Sequence, residues 1–374
     1  MQRSTFLTLV VSLWAFPLLA EEVEWELTAG FGGHLFPSAM IVSSMMKTEE
    51  DAADDTQLGD PLGMVSVEIT ATEDEQPIEV TVSSSKVIKA STFKGKLATK
   101  GETYTISPVL SYDYDRLLES RQATPEDVTV SVKLDGKSIG KKTERTIVRS
   151  INDCLYAYEN VDGETEDCSY MFAAYVNESH PVVQEILAEA LDVTDAKDKN
   201  LIEAISGYQG DATEVKKQLE AIYLAIQERG VKYSSITRGS VNDHDKIGSQ
   251  HVRLLGDSAT QAAANCVDGS VLFASVFRKM GLDPYLVTIP GHMFVGVYLD
   301  EKHQHHLEIE TTMVGSETFA EAVKTGVKER KEAGKKFEDD SEIDYQIIDI
   351  EEARAQGIIP IKDSIADAKE KRGE

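Results

Sequence analysis

The chain has 374 residues, and its 65 acidic and 38 basic side chains give a formal net charge of −27 at neutral pH. A protein this acidic needs a localised basic patch to bind nucleic acid or anionic lipid. The lysines of KERKEAGKK, at 328–336, are interleaved with glutamates and are typical of a solvated helix. The composition therefore argues against nucleic acid and anionic membrane surfaces as partners.

The N-terminal sequence MQRSTFLTLVVSLWAFPLLAEE has the outline of a secretory signal peptide. Arg3 precedes an apolar run from Phe6 to Leu19, and the small Ala20 stands before two glutamates. A membrane-spanning helix needs roughly 20 apolar residues, and this run is shorter. We predict cleavage after residues 1–20, export to the periplasm or extracellular space, and no membrane insertion afterwards.

The length of the mature chain exceeds what one hydrophobic core usually supports, so we expect two domains, which together give an α+β protein. The predicted units are the signal peptide at 1–20, an N-terminal segment with an acidic loop at 21–60, a β-sandwich at 61–152, a connecting segment at 153–178, an α+β domain at 179–335, and a C-terminal strand and tail at 336–374.

Period-two alternation of apolar and polar residues marks the first domain. It occurs in MVSVEITA, PIEVTVSS, TYTISPVLSY, DVTVSVKLDG and KTERTIVRS, which turn residues separate. Several such strands in succession, each with one buried face, predict a β-sandwich. The Asp-Gly pair of KLDGKSIG is a hairpin signal. No catalytic cluster occurs in this region, so we interpret it as a binding, positioning or structural module.

From Ser179 the apolar spacing becomes that of helices. HPVVQEILAEAL and ATEVKKQLEAIYLAIQERG carry apolar residues three or four positions apart, and the second ends at Gly230, a typical helix C-terminus. A later helix is predicted through ETFAEAVKTGVKERKEA and a strand at DYQIIDI. This mixture predicts an α+β second half.

Cys266 stands at the predicted start of the apolar helix NCVDGSVLFASVFRKMGL. Asn265 is placed as the N-cap and Asp268 as the third helical residue, close to a capping box. Backbone N–H groups and the helix dipole favour a thiolate at that place. Asp268 opposes the thiolate if it faces the sulfur, and less so if it turns back to cap the helix. The alternative is a buried, unreactive cysteine.

Two strands follow this helix. In HMFVGVYL and HLEIETT, alternation places Glu308 and Glu310 on the same face as His292. A turn centred near Glu301 would set Glu310 opposite His292, within side-chain reach. Together with Cys266 these are the parts of a thiol acyl-transfer triad, although a structural, hydrogen-bonded histidine is the alternative.

These residues resemble the transglutaminase-like superfamily of papain-like cysteine enzymes. Its core motif is a cysteine at a helix N-terminus, a histidine that begins a strand, and an Asp-x-Thr on the next strand. Cys266, His292, and Glu310 with Thr312 stand at these places, with glutamate where aspartate is commoner and no glycine directly before the cysteine. SQHVRLL and CVD also look like bacterial exported members of unknown substrate. The resemblance covers residues 180–325.

The resemblance implies a transglutaminase-like domain at 179–335 that acts on exported peptides or proteins as a peptidase, an amidase or a cross-linking enzyme. Cys266 would attack a carbonyl, His292 would take and return the proton, and Glu310 would hold the imidazole. The alternative is a non-catalytic extracytoplasmic binding or assembly module that retains the fold.

Three groups are candidates to donate a hydrogen bond to the oxyanion of the reaction: the backbone N–H of Cys266 and the side chains of Gln261 and Gln250. Either glutamine could equally be a surface residue. The HQHH segment at 303–306 suggests a metal site, but no cysteine or helical histidine pair accompanies it, so a solvated hairpin turn is favoured. We expect neither a metal nor a cofactor.

Cys154 and Cys168 flank LYAYENVDGETED, an acidic segment whose central glycine can reverse the chain direction. Because export places the chain where disulfides form, we predict that these two cysteines pair and leave Cys266 as the free thiol. The alternative is two unpaired thiols in a reducing cytoplasm.

Overall fold

The computed structural model describes residues 23–46, 55–160, 163–194, 199–233, 247–261, 263–339 and 341–363. The predicted signal peptide and part of the predicted acidic loop lie outside these residues. Among the helices of the described ranges, none has both the length and the apolar character that crossing a membrane requires. The fold is α+β, with several sheets.

The N-terminal part is a module of two sheets, called here the two-sheet module. Its strands are β1 (Trp25–Ala29), β2 (His34–Leu35), β3 (Gln57–Gly59), β4 (Val65–Thr70), β5 (Gln76–Val82), β6 (Ile88–Lys89), β7 (Ser91–Leu97), β8 (Thr103–Ser107), β9 (Ser111–Tyr112), β10 (Thr124–Leu134) and β11 (Lys137–Val148). Two short helices accompany them, α1 (Pro37–Ser43) and α2 (Tyr114–Glu119). One sheet has the order β1-β4-β8-β3 and the other β2-β11-β10-β5-β7, while β6 and β9 pair separately.

Burial in the two-sheet module follows the predicted alternation. In β4, Val65, Val67 and Ile69 are buried and the residues between them are not. Apolar residues of both sheets belong to one core. Asp135 and Gly136 adopt φ values of 50° and 73° between β10 and β11, so the predicted hairpin is confirmed. β1 and β2 precede the alternating segments and still join the two sheets.

The remaining chain alternates helices with short strands. The helices are α3 (Pro181–Asp192), α4 (Ala212–Glu228), α5 (Leu255–Gln261), α6 (Cys266–Lys279), α7 (Phe319–Ala333) and α8 (Ile350–Ala355), with 3₁₀ helices at Ser169–Tyr175, Thr311–Met313 and Gly334–Glu338. The strands are β12 (Asp153–Glu159), β13 (Thr165–Asp167), β14 (Lys232–Tyr233), β15 (Ile247–His251), β16 (Ala263–Ala264), β17 (Pro284–Ile289), β18 (His292–Tyr298), β19 (His306–Ile309) and β20 (Ile347–Asp349). The predicted helices α3, α4, α6 and α7 are confirmed.

Helix α6 lies at the centre of this part. Its residues from Val267 to Phe277 are all buried, which confirms the prediction of a helix that is apolar on nearly every side. It packs against β17 and β18 of the sheet β19-β18-β17-β20, and against α3. Gly281, with a φ of 80°, follows its end. The first residue of this central helix is Cys266, which is therefore fixed to the core.

The segment predicted as a connection, 153–178, contains two strands and a 3₁₀ helix. Strand β12 pairs antiparallel with β15, so the segment lies beside the strand that carries Gln250. The two-sheet module contacts this region directly. The Ser38 hydroxyl donates to the Asp153 carbonyl over 2.9 Å, in a buried hydrogen bond. The module therefore supports the strands that lead to the candidate site.

The predicted disulfide between Cys154 and Cys168 is not formed, since both are free and buried. The Cys168 N–H donates to the Tyr156 carbonyl over 2.7 Å, so Cys168 stands opposite Tyr156 and Cys154 is at a diagonal position. Diagonal neighbours on paired strands are about 7–8 Å apart, whereas disulfides join Cα atoms roughly 4.4–6.8 Å apart. The strand register explains why the prediction is wrong.

Candidate active site

The start of α6 holds Cys266 in a defined position. The Asn265 side chain accepts a hydrogen bond from the Asp268 N–H over 2.8 Å, and the Asp268 carboxylate accepts one from the Asn265 N–H over 3.0 Å. The predicted capping box is therefore confirmed. Cys266, directly after the cap, remains partly exposed and lines a cleft. A thiol at this place is accessible to a substrate while its backbone is fixed.

The Asp268 carboxylate is turned back into the helix cap and is paired with Arg253. It accepts hydrogen bonds from the Arg253 backbone N–H over 2.7 Å and from its guanidinium over 2.5 Å. The Asp268 side chain is 0% exposed and that of Arg253 is 12% exposed. A buried charge of this kind is tolerated because it is paired and hydrogen-bonded. The negative charge of Asp268 is thus neutralised by Arg253.

His292 begins β18, directly after the Pro290-Gly291 turn, and its imidazole contacts Glu310. The distance from His292 Nε2 to Glu310 Oε2 is 2.6 Å. The other carboxylate oxygen of Glu310 accepts hydrogen bonds from the backbone N–H and the hydroxyl of Thr312. The ETT segment therefore holds the carboxylate by one oxygen and presents the second oxygen to the imidazole.

The Cys266 side chain interacts with the same imidazole from within the cleft. Burial by itself lowers the pKa of His292, but hydrogen bonds and charge interactions with Cys266 and Glu310 outweigh it and raise this pKa to about 10. Burial likewise raises the pKa of Glu310, and its contacts with His292 and Thr312 bring it below the usual value. The contacts with Glu310 favour a charged imidazolium at His292.

The register between β18 and β19 differs from the prediction by two residues. Val295 pairs with Ile309, which places the centre of the hairpin turn at residue 302 rather than 301. Glu310 is consequently diagonal to His292 instead of opposite it, because the turn from 299 to 305 is longer than expected. The side chains still meet, since diagonal positions are within reach of long side chains.

Glu308, the other carboxylate considered on this face, is buried and has different partners. It accepts a hydrogen bond from the Tyr285 hydroxyl over 2.9 Å and lies 2.8 Å from His306 Nδ1. Burial, and next the charge of Glu308, raise the pKa of Tyr285 far above its usual value, so this phenol stays protonated. Glu308 therefore contacts Tyr285 and His306 rather than His292.

Of the two candidate oxyanion glutamines, Gln250 lines the cleft with Cys266. Its side-chain amide donates to the His251 carbonyl over 3.0 Å. The side chain of Gln261 lies outside the described part of the structure. Gln250 and the backbone N–H of Cys266 are therefore the donors that the described residues bring near the sulfur.

Glu329 on α7 was not identified from the sequence, where it falls within KERKEAGKK. One of its oxygens lies 3.9 Å from His292 Nε2. Burial, and then the negative charge of Glu310, raise the pKa of Glu329 to about 7. Its position on the buried side of α7 depends on how that helix packs against β19, which the charge pattern does not reveal.

One oxygen each from Glu310 and Glu329 lies within 4.8 Å of the ring nitrogen of His292, so these three residues could hold a metal ion. A metal there would displace the His292–Glu310 hydrogen bond. The histidines of HQHH do not converge. Each faces its own carboxylate, in the pairs His303–Asp283, His305–Asp300 and His306–Glu308.

No protein-family model matches the chain, and no curated protein matches it. The candidate site consists of a partly exposed thiol at a helix start, an imidazole beside it, and a buried carboxylate that contacts the imidazole.

Proposed function

We propose that the protein is a transglutaminase-like cysteine acyl-transfer enzyme that acts on peptide or protein substrates outside the cytoplasm. The observation that carries this proposal is the His292 imidazole, which has Glu310 2.6 Å from Nε2 and interacts with the Cys266 side chain. The helix-start thiol, the strand-start histidine and the carboxylate in ETT agree with the transglutaminase-like motif. The domain at 179–335 would then be the catalytic one, and the two-sheet module a β-sandwich that positions it.

The proposed reaction begins with attack of the Cys266 thiolate on a substrate carbonyl. The negative charge that develops on the carbonyl oxygen is stabilised by the backbone N–H of Cys266, with Gln250 as a second donor after a change of rotamer. His292 then gives its proton to the leaving amine, and a thioester remains. Water or an amine attacks the thioester while His292 takes back a proton, and the free thiolate is restored.

Glu310 contributes by keeping the imidazole oriented and charged. Its carboxylate is itself fixed by Thr312, so the imidazole cannot rotate freely away from the sulfur. A peptidase or amidase uses water as the final acceptor, and a cross-linking enzyme uses an amine. Both begin with the same thioester.

The pH dependence of Cys266 alkylation tests the proposal. We expect labelling by iodoacetamide to persist well below the pKa of about 8.5 of a free cysteine, and to fall at low pH in His292→Ala. Labelling is quantified by mass spectrometry of the peptide that contains Cys266. The buried Cys154 and Cys168 serve as internal controls, because burial raises the pKa of both.

An ordinary cysteine titration, unchanged by His292→Ala, would contradict the proposal and favour a non-catalytic binding or assembly module. A second readout is the acyl-enzyme itself. Incubation with peptide aryl esters should add one acyl mass to Cys266, and Cys266→Ala should remain unmodified.

A further inference from the structure

The cleft beside Cys266 combines an apolar surface with a single carboxylate. Its volume of about 120 Å³ is several times the roughly 10–15 Å³ that one water needs, so a side chain can enter. The rings of Tyr156 and Phe172 stack with centroids 6.1 Å apart and form one side. Ile289, Met293 and Ile343 add aliphatic surface.

Asp344 supplies the carboxylate at this cleft. The Thr288 N–H donates to the Gln346 carbonyl, and the Gln346 N–H donates to the Thr288 hydroxyl, each over 2.9 Å. These bonds extend the β17–β20 pairing to Gln346, and Asp344 lies two residues before it, in the turn that the Tyr345 N–H closes by donating to the Glu342 carbonyl over 2.9 Å. Asp344 is therefore held at the cleft by a turn that adjoins the sheet.

The carboxylate of Asp344 faces the cleft without a basic partner. Within the described residues it forms no salt bridge, whereas its neighbour Glu342 pairs with Lys336. Burial, followed by the charge of Asp344, raises the pKa of Tyr156, which indicates that this charge lies close to the Tyr156 hydroxyl. The described lining of the cleft contains no lysine or arginine.

A ligand side chain that suits this cleft needs an apolar stem and a positive end. Asp344 is the one carboxylate in the described lining of the cleft, so it favours a positive ligand group over a negative one. Lysine and arginine bury their methylene stems on apolar surface and keep the charged group in water, where Asp344 is exposed. A glutamate side chain would be repelled by Asp344.

We propose that this cleft is a substrate subsite that selects a cationic side chain on the acyl donor, with Asp344 as the group that pairs with it. The inference rests on the proposed acyl-transfer function, since it names the substrate class of that site. The cationic residue is the one that carries the reacting carbonyl or the residue before it.

The test compares peptide aryl esters that carry arginine, norleucine or glutamate at either position. Norleucine keeps an apolar stem without the charge, and arginine cannot act as an amine acceptor. We expect the wild type to prefer arginine to norleucine by about fivefold in kcat/KM, the size of a solvent-exposed charge pair, and to use glutamate least. In Asp344→Asn, kcat/KM should become equal for the arginine and norleucine esters. In Asp344→Lys, kcat/KM should be highest for the glutamate ester.

Glu342→Gln is the matched control, because Glu342 is in the same segment and pairs with Lys336. It should keep the wild-type ratio. An arginine preference that persists in Asp344→Asn, or a wild type that uses arginine and glutamate equally, would overturn the subsite.

Binding separates this inference from the acyl-transfer proposal. If the wild type turns over none of the esters, the proposed activity fails, and calorimetry with Cys266→Ala and the corresponding peptide amides still decides the subsite. Tighter binding of the arginine amide, lost in the double variant with Asp344→Asn, supports it. Equal binding of the three amides contradicts it.

Discussion

The two sides of the candidate site are built differently. On the α6 side, the Asp268 charge is fully buried and fully paired, by Arg253 and by the helix cap. On the α7 side, Glu310 and Glu329 share one imidazole, and Glu329 lies 3.9 Å from it. The first side fixes the position of the thiol, and the second raises the pKa of the imidazole beside it. Rigidity and proton affinity are thus supplied by separate groups of residues.

The largest effect is expected from breaking the pair on the α6 side. Arg253→Met leaves the Asp268 carboxylate buried without its guanidinium partner, and should lower the free energy of unfolding by about 3–5 kcal/mol. Arg116→Ala, which removes an exposed ion pair with Asp113, should cost about 1 kcal/mol or less. Urea unfolding followed by circular dichroism measures both. Equal losses would show that the Arg253 pair is no more important than a surface pair.

The second prediction distinguishes the roles of two buried glutamates, Glu308 in β19 and Glu310 just after it. Glu310→Gln removes a negative charge that helps raise the pKa of His292. Cys266 alkylation at pH 6 should therefore slow, by about tenfold for each unit by which the pKa of His292 falls below the assay pH. Glu308→Gln should leave the alkylation rate near that of the wild type, because Glu308 contacts Tyr285 and His306 instead. Losses in the reverse order would contradict the assignment of Glu310.

The third prediction concerns the dependence of stability on pH. Because the pKa of Glu329 is raised from 4.5 to about 7, the folded state holds this proton more tightly than the unfolded state. The associated stability is fully present below about pH 4.5 and is lost as pH rises through about 7.

Glu329→Gln should remove that dependence, so the variant gains stability relative to the wild type between pH 4.5 and 7. Urea unfolding at several pH values measures the difference. Glu321→Gln, an exposed change on the same helix, is the control. A constant difference between Glu329→Gln and the wild type across this range would contradict the expected titration.

The smallest effect concerns the other two cysteines, whose burial raises the pKa of both thiols, to about 12 for Cys168. Brief iodoacetamide treatment of the native protein should label Cys266 alone, and treatment under denaturing conditions without reductant should label all three. Peptide mass spectrometry identifies the labelled sites. Protection of Cys154 and Cys168 after denaturation would indicate a disulfide between them and contradict the free thiols of the structure.

Local patterns were sufficient to predict much of this fold. Alternation identified β4, β5, β8, β10 and β11 but not β6 or β7, and helical spacing together with the Asn265 cap identified α6 and its first residue. These features depend on residues that are close together in sequence. The meeting of His292 and Glu310 was also predictable, because the two lie on adjacent strands joined by a short turn.

Features that depend on packing between distant segments were not predicted. Glu329 approaches His292 only through the packing of α7 on β19. Arg253 contacts Asp268 although α5 and β16 lie between them in the chain. The Cys154–Cys168 bridge was predicted from the expected export and from the glycine-containing segment between the two cysteines, whereas the register of β12 and β13 places them at diagonal positions. The register in which two strands pair cannot be deduced from amino-acid composition.

The pairing of β12 with β15 has a consequence for folding kinetics. The cap of Cys266 is local, but the cleft around it joins Tyr156, Gln250 and Asp344 from distant parts of the chain. Contacts of large sequence separation form slowly, because loop-closure entropy is lost before the contacts stabilise the chain. We therefore expect helix α6 to form early in folding and the residues that surround Cys266 to assemble around it last.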